Sequence, residues 1–370
     1  MKKPTESQAL NNSPADTDGE AKGAPIFMVN TSRGFAAWLK QQNASLAVTT
    51  YQVGKLFLFG VRPDGKLWVF NRNIGRCLGL AISGNELWIT GDTQIFKFVN
   101  ALEAGQKSNE GHDALFVPQV AYFTGDLDAH DLAITSDNTP IFVNTLFNCL
   151  AAVSATHSFV PLWKPNFISR FAAEDRCHLN GMALRDGGPA FVTAVAKSDT
   201  FDGWRDQRQI GGIVIDVETN ETVCKSLSMP HSPRWYRDRL WLHNSGTGEF
   251  GWVNPKIKAF NPLCFCPGYL RGLSFTGNFA IVGLSKPRDN KTFSGLALDQ
   301  RLSERKMEPR CGLYVVDLDS GDIIHSLTME GVVSELYDVA VIPGMTQPAA
   351  LGPLSSEVRR MISIGSLERS

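Results

Sequence analysis

One pattern returns along this chain and constrains its fold more than any other feature: a short apolar strand, a tight turn, then a second strong strand. It occurs at Gly79 to Ile89, Asp131 to Val143, Gly181 to Val192, Pro233 to Leu242 and Gly272 to Val282. The copies are separated by about 40 to 50 residues, the period of a four-stranded propeller blade. A sixth first strand, Asp338-Val-Ala-Val-Ile-Pro-Gly344, has no second strand after it, while the strands at 45–51, 55–61 and 67–70 have no first strand before them. The C-terminal copy can therefore complete the N-terminal blade, and such closure hides the sheet edges. The pattern predicts an all-β propeller of about six blades whose closing blade is split between the two ends of the chain, with seven blades as the alternative.

A length of 370 residues would also suit two domains of roughly 150 each, but the repeat favours one domain over residues 25–345. Residues 1–24 are rich in Ser, Asn, Pro, Asp and Gly without an apolar period, which predicts a disordered tail; residues 346–370 form a C-terminal tail. Only the segment near Phe35 to Asn43 reads as a helix. Lys+Arg 36 against Asp+Glu 37, with no basic stripe, argues against nucleic acid or an anionic membrane as partner. No apolar run approaches the ~20 residues of a membrane span. Lys2-Lys3 is followed by Pro-Thr-Glu-Ser rather than an apolar run, which points away from export and toward the cytoplasm. The 7 Cys are scattered, only Cys264 and Cys266 lying close together, so neither a zinc knuckle nor a disulfide framework is present. Small buried hydrophobes in a reducing compartment fit them better.

In a propeller the first strand of each blade lines the central channel, and the residues just before it gather at the channel mouth. Aligned repeats place Leu78, His130, Asn180, Ser232, Arg271 and Tyr337 in one column, with Arg76, Asp128, His178, Pro230, Tyr269 and Glu335 two positions earlier. Asp131 and Asp338 follow directly, and His231 adjoins Ser232. Three His in one repeat phase suggest a shared site, because imidazole serves as ligand, acid and base. The candidate catalytic residues are His130, His178, His231, Asp131, Glu335 and Asp338, and the three imidazoles are also candidate ligands for a divalent metal. Repeat spacing carries no metal geometry of its own. Arg234 and Arg271 could grip a carboxylate or phosphate, or stack on blade aromatics. Asn180 belongs to the mouth column, while Asn144 and Asn244 lie in loops that should approach it, where each could equally be an ordinary turn residue. Trp163 and Trp204 sit in long inserts and are candidate rim aromatics, or cover blade ends. Neither a GxSxG elbow nor a GxxxxGK[ST] loop is present, which disfavours that hydrolase class and nucleotide triphosphatases.

The segments Thr124-Gly-Asp-Leu-Asp-Ala-His-Asp-Leu132, Glu174-Asp-Arg-Cys-His-Leu-Asn-Gly181, Leu227-Ser-Met-Pro-His-Ser-Pro-Arg234, Pro267-Gly-Tyr-Leu-Arg-Gly-Leu273 and Glu335-Leu-Tyr-Asp-Val339 resemble a bacterial conserved family of unknown function over about residues 30 to 345. That resemblance implies no reaction. A more distant likeness is to the six-bladed propellers of the gluconolactonase, senescence-marker and strictosidine-synthase group, through His178-Leu-Asn-Gly-Met-Ala-Leu-Arg-Asp-Gly-Gly188. It implies a metal-ligand position at Asn180 alone, since His130, Ser232 and Arg271 replace the group's other ligands.

Two functions follow as expectations. The first is a propeller that binds a small polar or anionic molecule at the channel mouth, extending to a metal-assisted enzyme that uses the His cluster. The second is a non-catalytic module whose rim takes a protein or peptide partner.

Overall fold

The computed structural model describes Ser7–Gln8, residues 27–287 and residues 294–365. Apart from Ser7–Gln8, the expected N-terminal tail lies outside the described residues. Six antiparallel sheets form a six-bladed propeller. Blade one joins Val339–Pro343 to Ala44–Thr49, Lys55–Val61 and Leu67–Asn73. Val339 pairs with Val48, the split closure read from the sequence. Blades two to six begin with the inner strands Leu80–Ser83, Ala129–Ile134, Leu179–Arg185, Pro230–Tyr236 and Tyr269–Thr276. Each inner strand touches those of both neighbouring blades, so the ring is complete.

The physical reason for the ring lies in the middle strands of each blade. In Lys55–Val61, Leu56 and Leu58 pack toward blade two while Phe57 and Phe59 pack toward blade six. Both faces of such a strand are buried, so it reads as a continuous apolar run rather than an alternation. The same holds around the ring, and one hydrophobic cluster fills each of the six spaces between neighbouring blades.

Three additions escaped the sequence pattern. Met28–Thr31 extends the outer edge of blade six, Pro348–Ala350 pairs in parallel with Ala114–Phe123 of blade two, and a second helix spans Ala297–Glu304. The chain thus contributes to a sheet beyond residue 345. Among the described residues no helix is long and apolar enough to cross a membrane. All seven Cys are free, and six of them are buried.

Hydroxyls staple one blade to the next. Thr49, Thr90, Thr145, Ser245 and Ser285, each at or just past the end of a second strand, donate to the carbonyls of Leu78, Ala129, Leu179, Leu270 and Leu336 at the start of the following blade. Thr90 Oγ1 also accepts the Gly79 N–H at 2.8 Å. Thr90→Val keeps the shape but orphans two buried backbone groups, so a loss of about 2 kcal/mol in urea unfolding is expected. A loss below about 0.5 kcal/mol would show that the staple contributes little.

Candidate functional site

The mouth is built by irregularities at the starts of four inner strands. Register shifts fall between Ala129 and Leu132, Leu179 and Gly181, His231 and Arg234, and Leu270 and Leu273. Each bulge contains the aligned residue of its repeat: His130, Asn180, Ser232 or Arg271. An extra residue on one strand turns side chains out of the sheet, here toward the axis. His178, just before its strand, adopts a left-handed backbone with φ 50°, as do Asp128 at 49° and Asp175 at 41°. Such conformations are uncommon outside glycine and collect at functional sites.

The three expected imidazoles do come together. His130 and His178 meet edge to face with ring centroids 4.8 Å apart, and His231 lies across from them, 3.4 Å from the Asn180 amide nitrogen. Each Nδ1 faces an acceptor. For His130 this is the Asp128 carbonyl at 2.8 Å, for His231 the Met229 carbonyl at 2.9 Å, and for His178 the Asp175 carboxylate at 2.8 Å. Carbonyls and carboxylates only accept, so in the neutral rings Nδ1 carries the hydrogen and Nε2 the lone pair. The Asn180 amide donates to Nε2 of His231 while its carbonyl accepts from Thr193. The Nε2 atoms of His130 and His178 have no such partner among the described residues.

Asp175 is the residue that sequence reasoning overlooked. Its Oδ2 also accepts the Trp204 indole N–H at 2.9 Å, and Trp204 stacks on His178 with centroids 4.2 Å apart. Burial raises the Asp175 carboxyl, but the imidazoles of His178 and His130 and the indole N–H more than offset this and hold it below the usual carboxylate range. Arg176, its neighbour, binds Glu174 at 2.7 Å and Asp199 at 2.6 Å and so locks the loop before blade four onto the Trp204 loop. The only advance signal was local: an acid three residues before a His in a loop that leads into an inner strand.

Burial dominates the titration of the other two rings. It pushes His130 down to about 4, and His231 falls well below its usual value, with the nearby Arg271 charge adding to the effect. Both are neutral at pH 7. Arg271 lies beneath Tyr337 at 4.7 Å and Tyr269 at 5.3 Å, with Glu335 3.5 Å away. Burial raises Tyr337 well above its usual value, so it stays a neutral phenol. The Tyr337 hydroxyl is buried without a hydrogen-bond partner among the described residues, as is Oδ1 of Asp175.

Asp131, Asp338 and Arg234 form a separate layer further down the axis. Arg234 binds Asp131 through two nitrogens at 2.8 and 3.1 Å and approaches Asp338 at 3.5 Å. The carboxylates also cap unpaired N–H groups on inner sheet edges: Asp131 accepts from Met182 and Leu132, Asp338 from Leu80 and Val339. Their oxygens and the Arg234 fork are thus engaged within the protein. Asn144 and Asn244 are buried and accept the backbone N–H groups of Phe147 and Ser228, which pins their turns. Trp163 lies on the outermost strand of blade three, packed on the cluster between blades three and four and away from the axis. Trp204 is buried at 2% exposure and forms a wall of the mouth rather than an exposed rim.

His231 gives its Nε2 to Asn180, and among the described residues no group of three or more His, Cys, Asp or Glu is arranged to hold a metal ion.

A family model described as a domain of unknown function (DUF4915) matches residues 33–351. The chain belongs to that family. No curated protein matches it. Among solved structures, a chain of a nidogen/laminin complex aligns with a TM-score of 0.51 at 10% identity, covering 81% of this chain and 99% of its own. At that identity the likeness concerns the fold alone. A virginiamycin B lyase from Staphylococcus aureus aligns with a TM-score of 0.38 at 11% identity, covering 82% of this chain and 99% of its own.

Proposed function

We propose that the propeller binds a small polar or anionic molecule at its channel mouth, and that His178, oriented by Asp175, exchanges a proton with it. The observation that carries this reading is the pair of imidazoles, His130 and His178, whose Nδ1–H groups are committed and whose Nε2 lone pairs are not. The Tyr337 hydroxyl, buried beside them without a partner among the described residues, supports it. A buried polar group left unpaired costs about 1 to 3 kcal/mol, which a bound hydroxyl or carboxylate would offset. The Asp175 carboxylate sits between the His178 imidazole and the Trp204 indole and fixes the ring's tautomer and orientation, as general-base chemistry needs. Arg271 and Tyr337 supply positive charge and a donor for an oxygen of the ligand.

The test is a screen of small polar metabolites by thermal shift and saturation-transfer NMR, with wild type and the His178→Ala, His130→Ala and Tyr337→Phe variants. A mouth ligand should lose about tenfold or more in affinity, roughly 1.4 kcal/mol, on either His substitution. Hits that bind wild type and all three variants alike would place binding elsewhere and overturn the reading. Metal analysis of the purified protein accompanies the screen. A stoichiometric ion lost in His130→Ala and His178→Ala would replace the proton-exchange role with a metal-ligand role.

A second reading is favoured by exposed apolar side chains on the mouth face. Phe171 at 48%, Phe201 at 70% and Ile210 at 74% exposure stand on loops of blades three and four, a feature of surfaces that take a protein or peptide partner. Under that reading Phe201→Ser abolishes partner capture and His178→Ala leaves it intact.

A further inference from the structure

A second site lies at the far end of the ring from the mouth, where blade one meets blade two. A cavity of about 100 Å³ is lined there by Lys40, Arg62, Lys107, Asp113, Thr346 and Gln347, among others. Its floor is rigid. The Thr346 carbonyl accepts the Val61 N–H at 2.7 Å, and it comes so near that a Cβ at residue 60 would stand 2.0 Å from it, which only Gly60 permits. Asp113 holds the floor from the other side, with Oδ2 accepting the Thr346 N–H and hydroxyl at 2.7 Å and Oδ1 accepting the Gln347 N–H at 2.8 Å.

Three cations from separate segments converge on this floor. Lys40 lies in the last turn of the helix Phe35–Gln41, Arg62 directly follows the strand Lys55–Val61, and Lys107 lies in the loop leading to Ala114–Phe123. None of the three forms an ion pair among the described residues. The Arg62 guanidinium rests over the Trp68 ring at 5.3 Å, which limits its freedom. Asp113 is the one acid in the lining and its oxygens are already engaged, so three cations against one carboxylate leave two positive charges. Like charges brought together without a counterion repel.

We propose that this notch binds a phosphate-type oxyanion. Two uncompensated charges match a dianion, and the cavity admits one tetrahedral group rather than a polymer strand. A guanidinium with two ammonium groups provides both fork and point-charge donors for phosphate oxygens.

The test is titration of the full chain with inorganic phosphate at low ionic strength and pH 7.5, followed by calorimetry and ³¹P NMR, with glycerol phosphate in parallel. Saturable one-site binding is expected, weakened about tenfold or more in each of Arg62→Ala and Lys107→Ala and abolished when Lys40→Ala is added to both. Because these side chains are exposed, the variants keep the fold, and His178→Ala at the mouth keeps full phosphate binding. Tighter binding of glycerol phosphate identifies the occupant as a phosphomonoester, and weaker binding identifies it as the free ion. No saturation below about 10 mM, displacement by chloride as effective as by sulfate, or binding unchanged in the triple variant would each overturn the proposal.

Discussion

Arg234→Met is expected to cost about 3 to 5 kcal/mol of unfolding free energy, the largest effect of any single substitution on the axis. The guanidinium lies between Asp131 and Asp338, which are 3% exposed, and is the cation paired with both carboxylates in that layer. Removing it leaves two buried carboxylates facing each other without compensation, a far greater penalty than the net worth of the intact ion pair. The triple variant Arg234→Met, Asp131→Asn, Asp338→Asn should recover much of the loss, because the amides keep acceptors for edge N–H groups such as those of Met182 and Leu80. Urea unfolding of the single and triple variants decides the matter. A cost below about 1 kcal/mol for Arg234→Met would mean that the layer does not close the ring.

Acidification should unfold this propeller before its carboxylates would. Burial depresses His130 and His243 to about 4, and His231 falls well below its usual value. A group whose folded pKa is depressed binds fewer protons folded than unfolded. Stability is therefore intact above the unfolded value near 6.5 and is lost as pH falls toward the folded value. At pH 4.5 His130 and His243 each cost roughly 2 to 3 kcal/mol, His231 acts in the same direction, and together they take up much of the stability of a domain. Asp338 opposes this in part. Burial, with the charge of Asp131, raises it to about 7 despite Arg234, so it takes up a proton in the folded state as pH falls. A net acid sensitivity remains. His243 isolates the effect, since its Nε2 faces the Gly272 carbonyl at 3.0 Å and its Nδ1 is buried without a partner among the described residues, away from the proposed ligand. Between pH 7 and 4.5 the stability of His243→Gln should fall by about 2 to 3 kcal/mol less than that of wild type. A flat wild-type profile over that range, measured by urea unfolding, would rule the account out.

The repeat made the ring legible because a propeller blade is a local unit: a strand, a turn and a strand adjacent in sequence. The split closure was legible for the same reason, an unpaired strand at each end. Met28–Thr31 and Pro348–Ala350 were not, since strands of three or four residues that add to a distant edge carry no period of their own. At the mouth, the column of His130, Asn180, Ser232 and Arg271 was visible as a repeat phase and corresponds to four bulges. Asp175 was marked only by its place three residues before His178, because its other partner, Trp204, lies 29 residues away in a loop of the same blade. The staple hydroxyls of Thr49, Thr90, Thr145, Ser245 and Ser285 share a phase that could have been read beforehand.

By itself the sequence determined the all-β class, the blade period, the ring closure and the imidazoles that meet at one end, all of which depend on order along the chain. Only the tertiary structure separated Asp131, Asp338 and Arg234 from the His layer, paired Asp175 with His178 and gathered Lys40, Arg62 and Lys107 around one floor. Those choices depend on which lone pairs and charges are already satisfied by groups distant in sequence, and hydrogen-bond satisfaction leaves no periodic trace in a chain.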